Sequence, residues 1–248
     1  MRARVLYLGS FLLTILTLQG CDNMPGRPKP GPAVPRPEQE LSFQQLFQEN
    51  CAGCHGTEGQ KGPASNLANP EYQALIDDAT LRDVVAHGQK GTMMPPFAIS
   101  GGGALSDAQV DAIVRGMRAQ WFKGDVLQGL NAPPYKVNKQ ADPARGKQIY
   151  SMNCARCHGA PGGPPGPKGA VLDPPFLALI SDQTIRTTVI AGRPDLGMPD
   201  WRDQIQGHPM SDQDVTDVVG WVFSQRQNIA GQVYAPRQET DAALRSAK

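Results

Sequence analysis

The stretch that decides the fold is Asn50-Cys51-Ala52-Gly53-Cys54-His55, and a near copy, Asn153-Cys154-Ala155-Arg156-Cys157-His158, begins 103 residues further along the chain. Matching residues continue beyond both stretches at an offset of 104 residues: Gly62-Pro63 with Gly166-Pro167, Gly88 with Gly192, and Met94-Pro95 with Met198-Pro199. Similarity that repeats at a nearly fixed offset rarely arises by chance. The sequence therefore predicts two tandem copies of one small domain.

Each stretch has the form Cys-x-x-Cys-His, in which two thiols lie within one helical turn and a histidine follows directly. This arrangement is the attachment signature of c-type haem, where both thiols form thioethers with the porphyrin and the imidazole binds the iron. We therefore predict two covalently bound haem c groups as cofactors. The predicted attachment residues and iron ligands are Cys51, Cys54 and His55 for one haem, and Cys154, Cys157 and His158 for the other.

Three other interpretations of a Cys-x-x-Cys pair are weaker here. A zinc ribbon uses two such pairs, but they usually lie about 15 to 20 residues apart, whereas a whole domain separates these two. A thioredoxin-like redox pair needs a strand-helix-strand context, and no alternating apolar stretch is long enough for a sheet. A structural disulfide gives no reason for the histidine.

The second axial ligand of each iron is predicted to be a methionine. Met94 and Met198 lie 39 and 40 residues after the motif histidines, each is followed by proline, and both fall in Gly-rich, non-helical stretches. Met93 competes in the first copy, but it breaks the 104-residue register that the preceding residues keep. His87 and His208 do not recur between the copies, so we interpret them as surface or loop residues.

Two more matched pairs lie near the predicted haems. A backbone carbonyl near Pro63 or Pro167 would accept the Nδ1–H of the ligand histidine and fix its tautomer, although stiffening of the loop explains these prolines equally well. Phe97 and Trp201 follow the two Met-Pro pairs. They would cover the haem or pack in the core.

The local sequence signals within each copy are those of helices. Ser106 with Gln109, and Ser211 with Asp214, have the spacing of residues that cap the first turn of a helix. Apolar residues then recur at i, i+3, i+4 and i+7, as in a helix facing a core: Val110, Ile113, Val114 and Met117 in the first copy, and Val215, Val218, Val219 and Val222 in the second. A shorter helix is predicted to end at each matched glycine, and another to run into each cysteine motif. The predicted fold class is all-α, with two tandem domains that each wrap around one haem.

The N-terminus has the pattern of an export signal. Arg2 and Arg4 precede an apolar run over residues 5–18, which is too short to span a bilayer comfortably and is typical of a signal peptide. The run ends in Leu18-Gln19-Gly20-Cys21, which resembles a bacterial lipobox, so residues 1–20 are predicted to be cleaved and Cys21 to be lipidated. An uncleaved anchor helix, or an ordinary signal peptide with a spare thiol, is the alternative. All three place the bulk of the chain outside the cytoplasm, and the lipidated form would lie at the periplasmic side of the bacterial cell membrane.

Proline content and charge complete the outline of the chain. Six prolines among residues 25–37 indicate an extended or disordered tether. The predicted segments are a signal peptide (1–20), a lipidated tether (21–38), two haem domains (39–124 and 141–230), a linker between them (125–140) and a polar tail (231–248). The net charge is +1, or −1 without residues 1–20, which gives no sign of nucleic-acid binding.

The order of these features, with Cys-x-x-Cys-His followed by Gly-Pro, Met-Pro and a final amphipathic helix, resembles class I cytochrome c. The two-domain arrangement is similar to the di-haem cytochrome c4 group. In that family the first helix crosses the last, with a glycine and an aromatic residue at the crossing; Gly146 and Tyr150 match this pattern in the second copy, opposite Trp221. In the first copy Phe43 replaces the glycine and Gly116 stands in place of the tryptophan. That crossing is therefore predicted to pack differently.

The predicted function is transfer of single electrons. An iron held by histidine on one face and methionine on the other has no open site for a substrate, so we predict no catalytic residue. The partners would be redox proteins at the outer face of the membrane: a quinol-oxidising complex, a terminal oxidase, a photosynthetic reaction centre or a dehydrogenase. The alternative function is a haem subunit of a dehydrogenase or a di-haem peroxidase-type enzyme, although a peroxidase would need a vacant sixth position.

Overall fold

Helices form almost all of the regular structure in this computed structural model, which describes residues 31, 36–205 and 207–227. The first copy contains α1 (Phe43–Asn50), α2 (Ala52–His55), α3 (Pro70–Leu75), α4 (Asp78–His87) and α5 (Asp107–Trp121). The second repeats this order with α6 (Pro143–Asn153), α7 (Ala155–His158), α8 (Pro174–Ala178), α9 (Asp182–Ala191) and α10 (Asp212–Ser224). Short 3₁₀ helices occur at Pro37–Gln39, Ile99–Gly101 and Pro194–Leu196.

The predicted all-α fold class is confirmed. Extended pairing in the described part of the chain is confined to two isolated bridges, Ala98 with Leu105 and Arg193 with Met198. The predicted signal peptide, Cys21 and the polar tail lie outside the described residues. Within the ranges that are described, no helix is both long enough and apolar enough to cross a membrane.

The ends of the helices follow the predicted local signals. Ser106 and Ser211 each accept a hydrogen bond from the backbone N–H three residues on, and the side chains of Gln109 and Asp214 accept one from the backbone N–H of these serines. Two N–H groups that a helix start leaves without intrahelical partners are satisfied in this way. α4 and α9 end at the matched glycines, whose φ values of 71° and 72° suit a residue without a Cβ atom.

Each copy has its own hydrophobic core. In the first copy α5 packs on α1 and α4, and in the second α10 packs on α6 and α9. The predicted apolar stripes of α5 and α10 form the centre of these cores, and all eight residues of the two stripes are buried. From Glu38 onward the described chain forms one compact unit, so the copies also pack against each other. The exact domain boundaries stay a prediction.

The segment between the copies is held by a buried arginine. Arg186 on α9 is 2% exposed, and its guanidinium donates to the carbonyl oxygens of Pro134 at 2.8 Å and Tyr135 at 3.2 Å. The ring of Tyr135 packs on the first core. The predicted linker therefore connects the two cores through specific contacts as well as through the chain.

The crossing of α6 and α10 in the second copy depends on a glycine. A Cβ atom on Gly146 would lie 2.0 Å from the Asp217 carbonyl oxygen and 2.8 Å from Cβ of Trp221. One turn further along α6, the rings of Tyr150 and Trp221 pack with their centroids 4.7 Å apart. The glycine thus lets the two backbones approach, and the aromatic pair fills the space beside them.

The first copy builds the same crossing with the glycine on the opposite helix. A Cβ atom on Gly116 of α5 would lie 2.1 Å from Cγ of Phe43 on α1. Trp121 packs edge-on against both Phe43 and Phe47, at centroid distances of 5.7 Å and 5.2 Å. The large and small residues have exchanged helices, which confirms that this crossing packs differently and shows how its volume is kept.

We expect Gly146→Ala to lower the free energy of unfolding by about 1–3 kcal/mol, the usual cost of overpacking a core. The added methyl group meets a backbone oxygen that cannot turn away, so α6 and α10 must separate. Denaturant unfolding of the haem-loaded protein measures the change. Gly53→Ala is the matched control, because a Cβ atom there meets nothing within 4 Å. Equal losses in both variants would contradict this account.

Candidate haem sites

The cysteine motifs begin where α1 and α6 end. The backbone N–H of Cys51 donates to the Phe47 carbonyl, and that of Cys154 to the Tyr150 carbonyl, at 2.8 Å each. α2 and α7 then add one turn each, which carries the second cysteine and the histidine. Each set of three predicted haem-binding side chains is therefore presented from a single bend of the chain.

Both motif histidines donate to a backbone carbonyl. His55 Nδ1 lies 2.8 Å from the Ser65 carbonyl oxygen, and His158 Nδ1 lies 3.0 Å from that of Gly169. Because a carbonyl only accepts, Nδ1 carries the hydrogen, and Nε2 is left as the nitrogen that could bind a metal. The acceptors lie two residues after the matched prolines, so a carbonyl does occur in the predicted place. The sequence offered no signal for the particular residue.

Burial favours the neutral form of the first of these histidines. It lowers the pKa of His55, the hydrogen bond to Ser65 acts in the opposite direction, and the nearby charge of Arg193 adds to the lowering. A neutral imidazole is the form that binds a metal. The environment of His55 thus favours the protonation state that iron ligation requires.

The two predicted methionine ligands are positioned in the same way. The carbonyl of Met94 accepts a hydrogen bond from Gln89 N at 3.0 Å, and that of Met198 accepts one from Arg193 N at 2.9 Å. Each methionine lies on a loop that folds back over the end of the preceding helix, α4 or α9. A Cβ atom on Gly88 would lie 2.5 Å from the Met94 carbonyl oxygen, so the glycine also gives this loop room to pass.

Met94 differs from the neighbouring Met93 in how much of the residue is exposed to solvent. Met93 is 72% exposed, whereas Met94 is half-buried. Met198 packs against the second core. These positions favour the register that pairs Met94 with Met198.

The second copy contains an apolar cavity that brings together three of its four predicted haem residues, and Cys157 is not among the residues that line it. Its volume is about 90 Å³, and it is partly open to solvent. Its walls are formed by Tyr150, Cys154, His158, Val171, Phe176, Ile180, Ile185, Thr188, Val189, Met198, Val218, Val219 and Val222. An apolar cleft with a cysteine, a histidine and a methionine among its walls fits a covalently held, flat, hydrophobic group. The sequence analysis identified those three but did not name Val171, Phe176, Ile185, Thr188 or Val189.

Trp201 provides a further test of whether the second copy has room for a bound haem. It is 6% exposed and packs in the second core, yet its buried Nε1 has no hydrogen-bond partner. Buried donors are normally satisfied, so this indole fits beside a bound group with acceptor atoms, such as the haem carboxylates. Trp201 therefore packs in the core, which is one of its two sequence interpretations, and that it covers the haem stays a prediction.

The chemistry of the buried cysteines argues against redox catalysis by thiols. Burial raises the pKa of Cys51 and of Cys154 to about 12, and the second cysteine of each motif acts in the same direction. Catalytic cysteines have lowered pKa values, because the thiolate is the nucleophile. Cys51 packs on the first core and Cys154 on the second, so the pairs do not converge as in a zinc ribbon.

The two remaining histidines lie on the surface, as predicted. The His87 side chain is 54% exposed, and its Nδ1 lies 2.8 Å from a carboxylate oxygen of Asp83 on the same helix. His208 is also exposed.

Comparison with known proteins assigns the family. Residues 38–115 and 141–222 match the family described as cytochrome c oxidase, cbb3-type, subunit III. The chain belongs to this family. The match covers both cysteine motifs and both methionine loops, and it confirms a di-haem class I c-type cytochrome with one covalent haem c in each of two cytochrome c domains.

Individual relatives share only part of their length with this chain. FixP, a cbb3-type cytochrome c oxidase subunit of Rhizobium etli, is 30% identical over 122 residues, which is 46% of this chain and 37% of that protein. Dihydro-haem d1 dehydrogenase of Pseudomonas aeruginosa is 29% identical over 116 residues, or 42% of this chain and 22% of that protein. A chain of a Kuenenia stuttgartiensis reducing HAO-like protein complex has a TM-score of 0.45 and 17% identity, covering 79% of this chain and 100% of that chain. The chain thus spans well under half the length of these two curated relatives.

Proposed function

We propose that this chain is a di-haem electron carrier that accepts and releases one electron at a time. The observation that carries the proposal is the apolar cavity of the second copy, whose walls include Cys154, His158 and Met198 together. The first copy supports it, because its histidine and methionine are held by the same backbone hydrogen bonds as their counterparts.

The proposed roles follow the chemistry of each side chain. The axial ligands would be His55 and Met94 for one iron and His158 and Met198 for the other, with thioethers at Cys51, Cys54, Cys154 and Cys157. When bound, the haem iron supplies a one-electron couple, and a thioether ligand raises its potential relative to a second histidine. With both faces occupied by protein side chains, no position remains for a substrate. This favours electron transfer over catalysis.

A terminal oxidase is the partner we favour, because the matching family and the FixP relative are both named as subunits of cbb3-type oxidases. A haem subunit of a dehydrogenase is the second candidate, supported by the similarity to dihydro-haem d1 dehydrogenase. Two matched methionine loops argue against the di-haem peroxidase alternative, because a peroxidase needs an iron with a vacant sixth position. We also propose periplasmic location with a lipid on Cys21, which the N-terminal sequence pattern supports.

Purification of the tagged full chain from native membranes under mild detergent tests this proposal. We expect two covalent haems per chain and co-purification of oxidase subunits. Recovery of a dehydrogenase instead would favour the second candidate. A chain without covalent haem, or one whose two reduced irons both bind carbon monoxide at once, would contradict the proposed electron carrier.

A further inference from the structure

A buried ion pair lies where the two copies meet. The Arg193 side chain is 11% exposed and that of Asp195 is 1% exposed, and two hydrogen bonds of 3.0 Å and 2.9 Å join them. The same carboxylate accepts the backbone N–H of Lys61, in the first copy, at 2.8 Å. The hydrogen bonds from Arg193 lower the pKa of Asp195 to about 2, so this carboxylate is charged at neutral pH.

The Arg193 guanidinium also holds the loop behind His55. It donates to the carbonyl oxygens of Ala64 at 2.8 Å and Gly62 at 2.9 Å. The next residue, Ser65, supplies the carbonyl that accepts from His55 Nδ1. A side chain of the second copy therefore fixes the backbone on which the orientation of the first motif histidine depends.

The backbone of Arg193 belongs to the other haem site. Its N–H donates to the Met198 carbonyl at 2.9 Å, and its own carbonyl accepts from Met198 N at 3.0 Å. These bonds use main-chain atoms, so a change of the Arg193 side chain leaves them in place. The side chain serves the first haem site, and the backbone serves the second.

The matched residue in the first copy lacks the charge. Gln89 stands 104 residues before Arg193, and its N–H donates to the Met94 carbonyl in the same way, at 3.0 Å. Its side chain also reaches the other copy, where its Oε1 accepts from the Thr184 hydroxyl at 2.8 Å. Both positions link the copies, but only the link at Arg193 places a charge beside a motif histidine.

We propose that Arg193 is a positioning residue through which the second domain sets the redox potential of the haem in the first domain. The negative charge of Asp195 partly offsets the positive charge of Arg193. This inference rests on the proposed haem ligation by His55. The guanidinium would act by its charge beside the histidine and by fixing the loop that carries the Ser65 acceptor.

The direction of the effect follows from charge. Reduction removes one positive charge from the iron, so a nearby cation favours the reduced form and a nearby anion favours the oxidised form. Arg193 is partly neutralised by Asp195, and removing either leaves the other uncompensated in a buried place, where screening by water is weak. The two removals must therefore shift the potential in opposite directions.

Redox titration of the haem-loaded full chain tests this, with the two haems distinguished by the NMR signals of their bound methionines. We expect Arg193→Gln to lower the potential of the first haem by an amount equal to a tenfold change in its reduction equilibrium, or about 59 mV for one electron. Asp195→Asn should raise it, and Arg193→Lys, which keeps the charge, should stay near the unsubstituted value. The second haem should change less in all three.

Gln89→Ala is the matched control, because it removes a contact between the copies without changing charge. Its expected effect on the potential of the first haem is small. Shifts of the same sign in Arg193→Gln and Asp195→Asn, or equal shifts at both haems, would overturn the proposal in favour of a structural role. If Arg193→Gln fails to fold, the potential of the first haem is compared between Asp195→Asn and Arg193→Lys. A rise in Asp195→Asn without a similar rise in Arg193→Lys supports the proposal, and equal potentials contradict it. An unsubstituted chain without two His/Met haems would instead refute the proposed function itself.

Discussion

Met198→Ala is expected to abolish the iron–sulfur charge-transfer absorption of the second haem while that of the first remains. Met198 lies in the wall of the apolar cavity that also contains His158, and its loop is fixed by the backbone pairing with Arg193. The thioether stabilises the softer Fe(II) state, so its loss should also lower the potential of that haem and open the iron to small ligands. Visible absorption spectroscopy of the oxidised protein measures the first effect, and carbon monoxide binding measures the last.

Met94→Ala should give the matching result at the first haem, and the chain offers a control for each variant. Met93 and Met152 are 72% and 61% exposed, so their replacement by alanine should change neither spectrum. If Met93→Ala removes the absorption of the first haem and Met94→Ala does not, the register of the repeat is broken there and the proposed ligand is wrong. If Met198→Ala leaves both spectra unchanged, the cavity does not hold the haem as proposed.

Short-range signals predicted the helices well, because the interactions that start and end a helix lie within four residues of each other along the chain. The capping pairs at Ser106 and Ser211 and the glycine ends of α4 and α9 occur as predicted. The cysteine motifs are equally local, since each set of predicted haem-binding side chains lies on one turn. The methionines were harder to assign, and it was the repeat that distinguished Met94 from Met93.

Packing between helices could be predicted only as a departure from the family pattern. The sequence shows Phe43 where a glycine is expected and Gly116 where a tryptophan is expected. It does not show that the Phe43 ring lies over Gly116, because this depends on how closely α1 and α5 approach. Two compensating changes on different helices look like two separate defects in a sequence, and only their contact shows that they preserve the volume.

Contacts between the copies were beyond sequence reasoning. The Arg193 guanidinium and the Ala64 carbonyl are 129 residues apart, and no periodicity or motif links them. Arg186 likewise donates to the Pro134 carbonyl, which lies 52 residues away along the chain and comes close only in the folded protein. The identity of a residue does not indicate whether its backbone carbonyl acts as an acceptor, since every residue has such a carbonyl. For this reason the repeat predicted two similar haem sites but not the charged link that makes them different.

Replacing both cysteines of one motif should reduce the number of covalent haems per chain from two to one. In the double variant Cys154→Ala with Cys157→Ala no thiol remains to form a thioether in the second domain. The motif of the first domain packs on its own core, so the haem at Cys51 and Cys54 should be retained. The mass of the denatured protein and the haem absorption per chain measure the result.

Cys21→Ser provides the control for this experiment, because it removes the remaining thiol without touching a haem motif. It should keep two covalent haems and lose only the proposed lipid, which the mass of the chain and its release from membranes would show. Two covalent haems in the Cys154→Ala, Cys157→Ala variant would exclude these cysteines as attachment sites. Loss of both haems would mean that the first domain cannot mature without the second, which is the stronger form of coupling between the copies that the Arg193 contact makes physically reasonable.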